Sequence, residues 1–249
     1  MRSEPLLQLR ELTQVVNGKR LVDGLSLSVR PGEFHGLLGP NGAGKTTALR
    51  CLYQKKMPTS GEILLNGRPM ADYSRTEWAR RTGALIQENA PLHGLNATDV
   101  VEIALLGMRL TPAQRRRRVH EALDLSGLTE ATDQQASELS GGEQQRLHLA
   151  CLLARDPEIY LLDEPTNHLD LHYQLRLLDA IRDRGRTVLA TLHDLALASR
   201  YCDQVTLIDH GKQVDQGPPL DVLSTDNLRH TYRVQGSVSK QGLHLVAAV

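Results

Sequence analysis

The feature that most constrains this sequence is a glycine-rich segment, Gly39-Pro-Asn-Gly-Ala-Gly-Lys-Thr-Thr47. It matches the pattern G-x4-G-K-[ST], in which glycines let the backbone curl until several N–H groups point inward at phosphate oxygens. The apolar residues 34–38 before it predict a strand, and residues 44–53 predict a helix after it. A strand, such a loop and a helix in succession predict an α/β fold that binds a phosphorylated ligand.

The side chains of this segment predict how a nucleotide would be held. Lys45 supplies a point charge for the β and γ phosphates, Thr46 offers a hydroxyl to Mg²⁺, and the helix beginning near Gly44 directs its positive end at the same anion. The alternative is a glycine-rich surface turn, which the position between strand and helix disfavours. The residues predicted to contact the nucleotide are Gly39, Pro40, Asn41, Gly42, Ala43, Gly44, Lys45, Thr46 and Thr47.

The rest of the chain alternates strand and helix patterns. Strand patterns recur at residues 82–86, 158–162, 187–191 and 204–209 with helical patterns between them, which favours crossover connections and a largely parallel sheet. A short strand before Asn66-Gly67 predicts a tight hairpin and an antiparallel β edge. Residues 91–139 have a wholly helical pattern, which predicts an inserted helical lobe, and Thr111-Pro-Ala-Gln114 predicts a helix start within it.

Length and composition exclude several classes of protein. The chain has 249 residues, which suits one large domain or a core with an inserted lobe. Its 29 basic and 29 acidic residues balance, so no net field favours nucleic acid or anionic lipid. The three scattered cysteines indicate reduced, buried thiols. Charged residues interrupt positions 1–12, which argues against a signal peptide. No stretch of the sequence approaches the roughly 20 apolar residues of a membrane helix.

A pair of carboxylates follows a second apolar run. Ile159-Tyr-Leu-Leu-Asp-Glu164 places Asp163 and Glu164 at the carboxyl end of a predicted strand, where a doubly wound sheet has its ligand crevice. Asp163 is the candidate for holding Mg²⁺, directly or through water, and Glu164 is the candidate general base for the attacking water. Alone, such a pair is more often a strand end turning to solvent, so this interpretation depends on the phosphate loop.

The segment Leu139-Ser-Gly-Gly-Glu-Gln144, followed by Gln145-Arg146-Leu147, is the signature sequence of ABC ATPases, and residues 6–223 resemble that family. The resemblance implies the ABC ATPase fold, with a RecA-like core at about 1–90 and 156–249 and a helical lobe at about 91–155. It implies ATP and Mg²⁺ as ligands and a homodimer that closes over two ATP molecules. In that dimer Ser140, Gly141, Gly142 and Glu143 of one copy face the γ-phosphate held by the other copy.

Other roles are implied one position at a time by the same resemblance. Gln87 matches the glutamine that contacts Mg²⁺ and the attacking water, and His193 matches the histidine that bonds the γ-phosphate. Asp170 matches the acidic residue that links the two sites across the dimer. Val16 stands where the family usually has an aromatic residue that stacks on adenine, so what contacts the base is left open.

One further feature departs from the family pattern, and two others have competing interpretations. Gln134-Gln135 stands where the family often has an arginine. The basic run Arg115–Arg118 is interpreted as a solvated helix face, with contact to anionic lipid or a membrane subunit as the minority alternative. His168 and His172 have the spacing of a metal pair, but their loop accounts for them without a metal.

Three segments of the sequence, residues 163–174, 211–219 and 228–249, resemble the importer branch that serves iron–siderophores, haem and cobalamin. This resemblance implies two transmembrane permease subunits, a periplasmic or lipoprotein substrate-binding protein, and a peripheral location at the cytoplasmic face of the inner membrane. The alternative is a soluble ABC ATPase that drives an assembly process such as iron–sulfur cluster biogenesis. A DNA-binding ATPase with a coiled-coil arm is excluded, because only about 95 residues without sustained heptads separate Lys45 from Ser140.

Overall fold

A computed structural model of the protein describes residues 4–53, 57–86, 93–167, 169–239 and 242–248. Its strands are β1 (Leu7–Val16), β2 (Lys19–Val29), β3 (Phe34–Leu38), β4 (Ser60–Leu65), β5 (Arg68–Pro69), β6 (Thr82–Leu85), β7 (Ile159–Asp163), β8 (Thr187–Thr191), β9 (Gln204–Asp209), β10 (Lys212–Gly217), β11 (Val234–Ser239) and β12 (Gly242–Ala248). Its α-helices are α1 (Lys45–Leu52), α2 (Arg75–Arg81), α3 (Ala97–Ala104), α4 (Pro112–Leu125), α5 (Gly141–Arg155), α6 (Leu171–Asp183), α7 (Leu195–Tyr201), α8 (Pro219–Val222) and α9 (Thr225–Asn227).

The central sheet has six strands in the order β10-β9-β3-β8-β7-β6. All neighbours are parallel except β9 and β10. Every residue of β3, β7 and β8 is buried, as strands covered on both faces require. The prediction of a largely parallel sheet is confirmed.

The register of this sheet gathers its functional ends at one edge. Asp163 at the end of β7 pairs with Thr191 at the end of β8, and Thr191 pairs in turn with Leu37 of β3. Because parallel strands end at the same edge, the loop after β3 and the acidic pair after β7 meet there.

A second sheet, β2-β1-β4-β5, is antiparallel throughout and forms the predicted antiparallel β edge. The turn between β4 and β5 places Asn66 at φ 52° and Gly67 at φ 72°, the left-handed conformation that a two-residue hairpin of this type requires. Strand β1 was not predicted from the sequence, although it is the central partner of β2 and β4.

The predicted lobe contains α3, α4 and α5, which pack against one another. The expected start of α4 is confirmed, because Thr111 and Gln114 cap each other reciprocally. The stretch is less helical than predicted, since α-helix is interrupted after α3 and after α4 near Gly107 and Gly127, whose φ angles are positive. The exact division of the chain into core and lobe stays a prediction.

Two apolar clusters enclose the central sheet. One joins its β7 and β8 side chains to the lobe helices and to α6 and α7, and the other fills the space between the two sheets around α1. Leu38 belongs to the first cluster and Leu37 to the second, so the end of β3 is fixed from both faces. No helix in the described part of the chain is both long and apolar enough to cross a bilayer.

Candidate functional site

The phosphate loop runs from the end of β3 to the start of α1, and close packing requires two of its glycines. Gly39, Gly42 and Gly44 have φ angles of 149°, 78° and 106°. A Cβ on Gly39 would lie 2.1 Å from the carbonyl oxygen of Ile208, and one on Gly44 would lie 2.2 Å from that of Leu21. The loop is therefore held between β2 and β9 in a conformation that only glycine allows at these two positions.

Lys45 is buried within this loop. Its ammonium donates to the carbonyl oxygens of Gly39 at 2.7 Å and Pro40 at 3.0 Å. Burial lowers the pKa of Lys45, and the nearby charges of Glu164 and Asp163 partly offset that effect. The lysine thus lies between the loop carbonyls and two carboxylates, where a phosphate group would gain a direct cationic partner.

Thr46, Asp163 and Thr191 form one hydrogen-bonded group. The hydroxyls of Thr46 and Thr191 each donate to Asp163 Oδ1 at 2.9 Å. Burial raises the pKa of Asp163, and these two hydrogen bonds oppose the rise. A hydroxyl and a carboxylate are oxygen donors of the kind that Mg²⁺ prefers, so the predicted pair of Thr46 and Asp163 fits this ion.

Glu164 and His193 are also in contact. Glu164 has φ 50°, which turns its side chain away from the strand direction, and its N–H donates to Thr191 Oγ1 at 2.9 Å. Its carboxylate contacts His193 Nε2 through one oxygen and the Asn167 amide through the other. The predicted base and the predicted γ-phosphate ligand are therefore neighbours, and Asn167 orients the base from the other side.

The signature segment forms the start of α5. Ser140 is the N-cap, and its hydroxyl donates to Glu143 Oε2 at 2.6 Å while Glu143 N–H donates back to the Ser140 hydroxyl at 3.4 Å. Hydrogen bonds from Ser140 lower the pKa of Glu143, so this carboxylate is ionised at neutral pH. Farther along α5, Gln145 donates to the Pro165 carbonyl at 3.2 Å and so ties the helix to the loop after Glu164.

The remaining predicted residues lie apart from this cluster or outside the description. Asp170 caps α6 by accepting from the N–H of Tyr173 at 3.0 Å, and its side chain is exposed. Val16 ends β1, is half-buried and pairs with Lys19 across a tight turn. Gln87 and His168 lie outside the described residues, so their roles stay predictions.

The basic run Arg115–Arg118 is largely engaged within the protein. Arg115 and Arg118 donate to the backbone carbonyls of Glu102 and Ala154, and Arg117 pairs with Glu121 at 2.6 Å. Arg116 and Arg117 are exposed, as a solvated helix face requires, whereas Arg115 and Arg118 are partly buried. Within the described ranges, no group of three or more histidine, cysteine or acidic residues is arranged to hold a metal ion.

Sequence reasoning missed two members of the site, Thr191 and Asn167. The sequence predicts only a strand at Thr191 and only a loop at Asn167. A signal was present for Thr191, because a polar residue at the end of a buried parallel strand lies at the ligand edge of the sheet.

The sequence is similar to those of proteins named as ATP-binding proteins of import systems. The family described as ABC transporter matches residues 22–167. "Hemin import ATP-binding protein HmuV" of Bordetella pertussis is 36% identical over 245 residues, covering 93% of this chain and 94% of that protein. The protein of the same name from Pseudomonas aeruginosa is 37% identical over 247 residues, covering 94% and 95%.

Solved structures share the fold. The structure of cbiO1 from Clostridium perfringens, described as part of the ABC transporter complex cbiONQ, superposes with a TM-score of 0.77 at 27% identity, covering 91% of this chain and 93% of that one. A structure described as the ATP-binding subunit of an ABC transporter superposes with a TM-score of 0.81 at 25% identity, covering 91% and 95%. The family match spans more than half of the sequence. The chain therefore belongs to the ABC transporter family, as an ATP-binding subunit that hydrolyses ATP.

Proposed function

We propose that two copies of this chain bind and hydrolyse ATP to drive the import of haem through transmembrane partner subunits. The observation that carries the substrate assignment is the identity of 36–37% over nearly the whole chain to proteins named for hemin import. The siderophore and cobalamin branches named from the sequence are related alternatives. Because a structure of a bacterial Atm1-family exporter also superposes, with a TM-score of 0.79, the fold alone does not set the direction of transport.

In the proposed mechanism the loop 39–47 holds the phosphates of ATP. Lys45 exchanges its contacts with the Gly39 and Pro40 carbonyls for the β and γ phosphates. Thr46 and Asp163, with Gln87, would hold Mg²⁺, which when bound would neutralise charge on the phosphates. The hydrogen bond from Thr191 keeps the Asp163 carboxylate aimed at this position.

Hydrolysis is assigned to Glu164 and His193. The Glu164 carboxylate accepts a proton from the attacking water, and its contact with Asn167 fixes its orientation. His193 lies against the other carboxylate oxygen. In this assignment it would contact the γ-phosphate. The left-handed backbone of Glu164 supports this role, because a non-glycine residue in that conformation costs free energy and is found preferentially at functional sites.

The second copy would contribute the signature segment at the start of α5. Gly141 is exposed, so its backbone N–H group at the start of this helix is accessible to an anion. Leu171, next to the exposed Asp170, has 67% of its surface accessible, which suits a contact with another copy. A bacterial ABC transporter cassette described as dimeric, MJ0796, superposes with a TM-score of 0.78 at 25% identity.

A groove on the lobe is the proposed contact for a membrane subunit. It has a volume of about 490 Å³ and is lined by Leu95, Asp99, Glu102, Ile103, Leu106 and Arg115. Ile103 and Leu106 expose 48% and 69% of their surface there, beside two carboxylates. This chemistry suits a cytoplasmic helix with an apolar side and basic residues, and would hold the chain at the inner face of the membrane.

The function is tested by co-purification from detergent-solubilised membranes, with the chain tagged and partners identified by mass. We expect the wild-type chain and the Lys45→Ala variant to recover a polytopic membrane protein. The double variant Ile103→Glu/Leu106→Glu should not recover it. Haem uptake by cells should fail in both variants. Recovery only with soluble scaffold proteins would overturn the transport proposal and favour an assembly ATPase. Uptake of cobalamin or a siderophore in place of haem would overturn only the assignment of haem as the substrate.

A further inference from the structure

Two glutamine side chains from different helices converge on the backbone that follows the candidate base. Gln174 lies in the first turn of α6, and its side-chain amide donates to the carbonyl oxygens of Thr166 at 3.1 Å and Leu169 at 2.9 Å. Gln145, near the start of α5, donates to the Pro165 carbonyl at 3.2 Å. Three carbonyl oxygens close to the base are therefore bound by side chains that the proposed chemistry does not use.

These amides satisfy backbone groups that the fold buries. Pro165 and Thr166 are buried, and a buried carbonyl without a partner costs free energy. The Thr166 carbonyl also accepts from the Leu169 N–H, but at 3.4 Å, which is longer than its bond with Gln174. The Nε2 atom of Gln174 carries two hydrogens, so a single amide serves both of its carbonyls. Because carbonyl oxygens only accept, the side chain at each position must donate.

The backbone that Gln174 holds carries Asn167. Asn167 lies between Thr166 and Leu169 in the chain, and its side-chain amide contacts the Glu164 carboxylate. Its own N–H donates to the Glu164 carbonyl oxygen at 3.2 Å. Gln174 therefore fixes the backbone on both sides of Asn167. The direction of the Asn167 amide toward the candidate base depends on those two fixed points.

The two glutamines extend from helices that are joined to each other. The guanidinium carbon of Arg146 lies 3.9 Å from the centre of the Tyr173 ring, a cation–π contact between α5 and α6. Arg146 follows Gln145 in the chain, and Tyr173 precedes Gln174. Farther along α6, Leu178 is fully buried and anchors that helix in the core. Both amides are thus presented by one connected pair of helices.

We propose that Gln174 and Gln145 are positioning residues for ATP hydrolysis, whose amides hold the backbone that directs Asn167 against Glu164. This role needs no contact between either glutamine and the nucleotide. The two side chains act on kcat through the orientation of the base, and they leave the contacts of Lys45 with phosphate unchanged. The inference rests on the proposed assignment of Glu164 as the group that accepts a proton from water.

The test measures steady-state ATPase kinetics, the Kd for ADP and Tm in variants of the full chain. Gln174→Met keeps the length of the side chain and removes both donated hydrogens. We expect its kcat to be about tenfold lower, with the Kd for ADP within about twofold of wild type.

Asn227→Leu is the matched control for Gln174→Met. Asn227 is also half-buried, and its amide also donates twice, to Asp215 at 2.9 Å and to the Val222 carbonyl at 2.8 Å. These bonds lie in the C-terminal segment and not beside the base. Asn227→Leu should therefore lower Tm and leave kcat unchanged.

A double-mutant cycle decides whether Gln174 acts through Asn167. Asn167→Ala alone should also lower kcat about tenfold, and independent effects would multiply to about a hundredfold in the double variant. We expect the kcat of Asn167→Ala/Gln174→Met to stay within about twofold of that of Asn167→Ala, because no amide remains to be directed. Effects that multiply, or an unchanged kcat in Gln174→Met, would overturn the inference.

Gln145→Met is a second variant, which loses one hydrogen bond where Gln174→Met loses two. We expect its kcat to be about two- to fivefold lower, and the effect should disappear in the Asn167→Ala background. An effect of the same size in that background would contradict the proposed role. The base assignment is checked separately with Glu164→Gln. If that variant keeps its kcat, the assignment of the base is wrong, rather than the role of the two glutamines alone.

Discussion

Thr191 donates its hydroxyl hydrogen to Asp163 Oδ1 at a distance of 2.9 Å. The same hydroxyl oxygen accepts the backbone N–H of Glu164, also at 2.9 Å. One fully buried side chain at the end of β8 therefore orients the candidate metal ligand and stabilises the left-handed backbone of the candidate base. Two functional groups depend on a residue with no proposed contact to the nucleotide.

The first prediction concerns Thr191→Val, which keeps the shape of the side chain and removes its hydroxyl. The N–H of Glu164 loses its partner, and Asp163 loses a donor that opposes its raised pKa. The loss of two hydrogen bonds, about 1–3 kcal/mol in all, is expected to lower kcat about tenfold or more. Steady-state ATPase kinetics measure this effect.

Thr187→Val is the matched control for that prediction, because Thr187 is a buried threonine at the other end of the same strand. Its hydroxyl accepts from the N–H of Gly32 at 3.0 Å, far from the acidic pair along β8. We expect a lower Tm with unchanged kcat. A Thr191→Val enzyme with wild-type kcat would show that the hydroxyl only stabilises the fold.

The sequence predicted the parts of the fold and site that depend on local chemistry. The phosphate loop was predictable because Gly39 and Gly44 meet backbone carbonyls that no side chain would tolerate. The capping pair of Thr111 and Gln114 was predictable because both residues lie within one helical turn. Each signal is contained in a few consecutive residues.

Contacts between distant segments were not predictable in this way. Thr191 reaches Asp163 only through the register of β7 with β8, and Gln145 of α5 reaches the Pro165 carbonyl only through tertiary packing. Strand β1 was missed for a related reason, since its polar positions hide the alternation of buried residues. Partners of this kind depend on tertiary packing, which no short pattern encodes.

The second prediction concerns Glu164→Gln. Glutamine keeps the size of the side chain but cannot accept a proton from water, so ATP binding should persist while turnover falls at least about a hundredfold. ATP should then trap a dimer that size-exclusion chromatography detects. Glu158→Gln, at the half-buried residue just before β7 that pairs with Arg81, should leave both properties unchanged. Undiminished turnover in Glu164→Gln would remove this residue from its assigned role.

The third prediction concerns Glu143→Gln at the start of α5. Glu143 is held ionised by Ser140, so it brings a negative charge to the helix end that we propose to face the phosphate of a second copy. Glutamine keeps the capping arrangement and removes the charge. We expect Glu143→Gln to reach half-maximal dimerisation at a several-fold lower ATP concentration than the wild-type protein. The difference between the two proteins should be smaller at high salt, because salt screens charge repulsion.

Glu77→Gln is the control for Glu143, since Glu77 caps α2 through the same reciprocal bonds with Ser74. It should leave the ATP dependence of dimerisation unchanged. If Glu143→Gln requires the same or more ATP than the wild-type protein, the carboxylate either does not face phosphate or is needed for the contact.

The fourth prediction concerns acid stability and Asp156, which ends α5 in a left-handed conformation. Burial alone would raise the pKa of Asp156, but hydrogen bonds from Arg186 and Tyr160 and the charges of Arg186 and Arg184 lower it. Because the folded pKa is depressed, the stabilisation is fully present above the unfolded value of about 3.9 and is lost as pH falls through the folded pKa.

Asp156→Asn should therefore destabilise the protein at pH 7, by up to about 1 kcal/mol given the partial exposure of these ion pairs. Its free energy of unfolding should also fall less steeply than that of the wild-type protein below pH 4, roughly the unfolded pKa. Urea unfolding across this pH range measures both effects, with the exposed Asp183→Asn as control. If the free energy of unfolding falls equally steeply below pH 4, roughly the unfolded pKa, in wild type and Asp156→Asn, the carboxylate of Asp156 does not have the proposed effect on acid stability.

The last prediction concerns the adenine base and Val16. Val16 is half-buried at the end of β1 and offers a base apolar contact without an aromatic face. Val16→Tyr adds a ring that can stack on the base, an interaction worth about 0.5–1.5 kcal/mol, so the Kd for ADP should fall roughly two- to twelvefold. The Kd for tripolyphosphate, which has no base, should not change. Val15→Tyr is the control, because successive residues of a strand point to opposite faces. Equal effects of the two substitutions, or a change for tripolyphosphate, would show that the base lies elsewhere and that Val16 is only a strand residue.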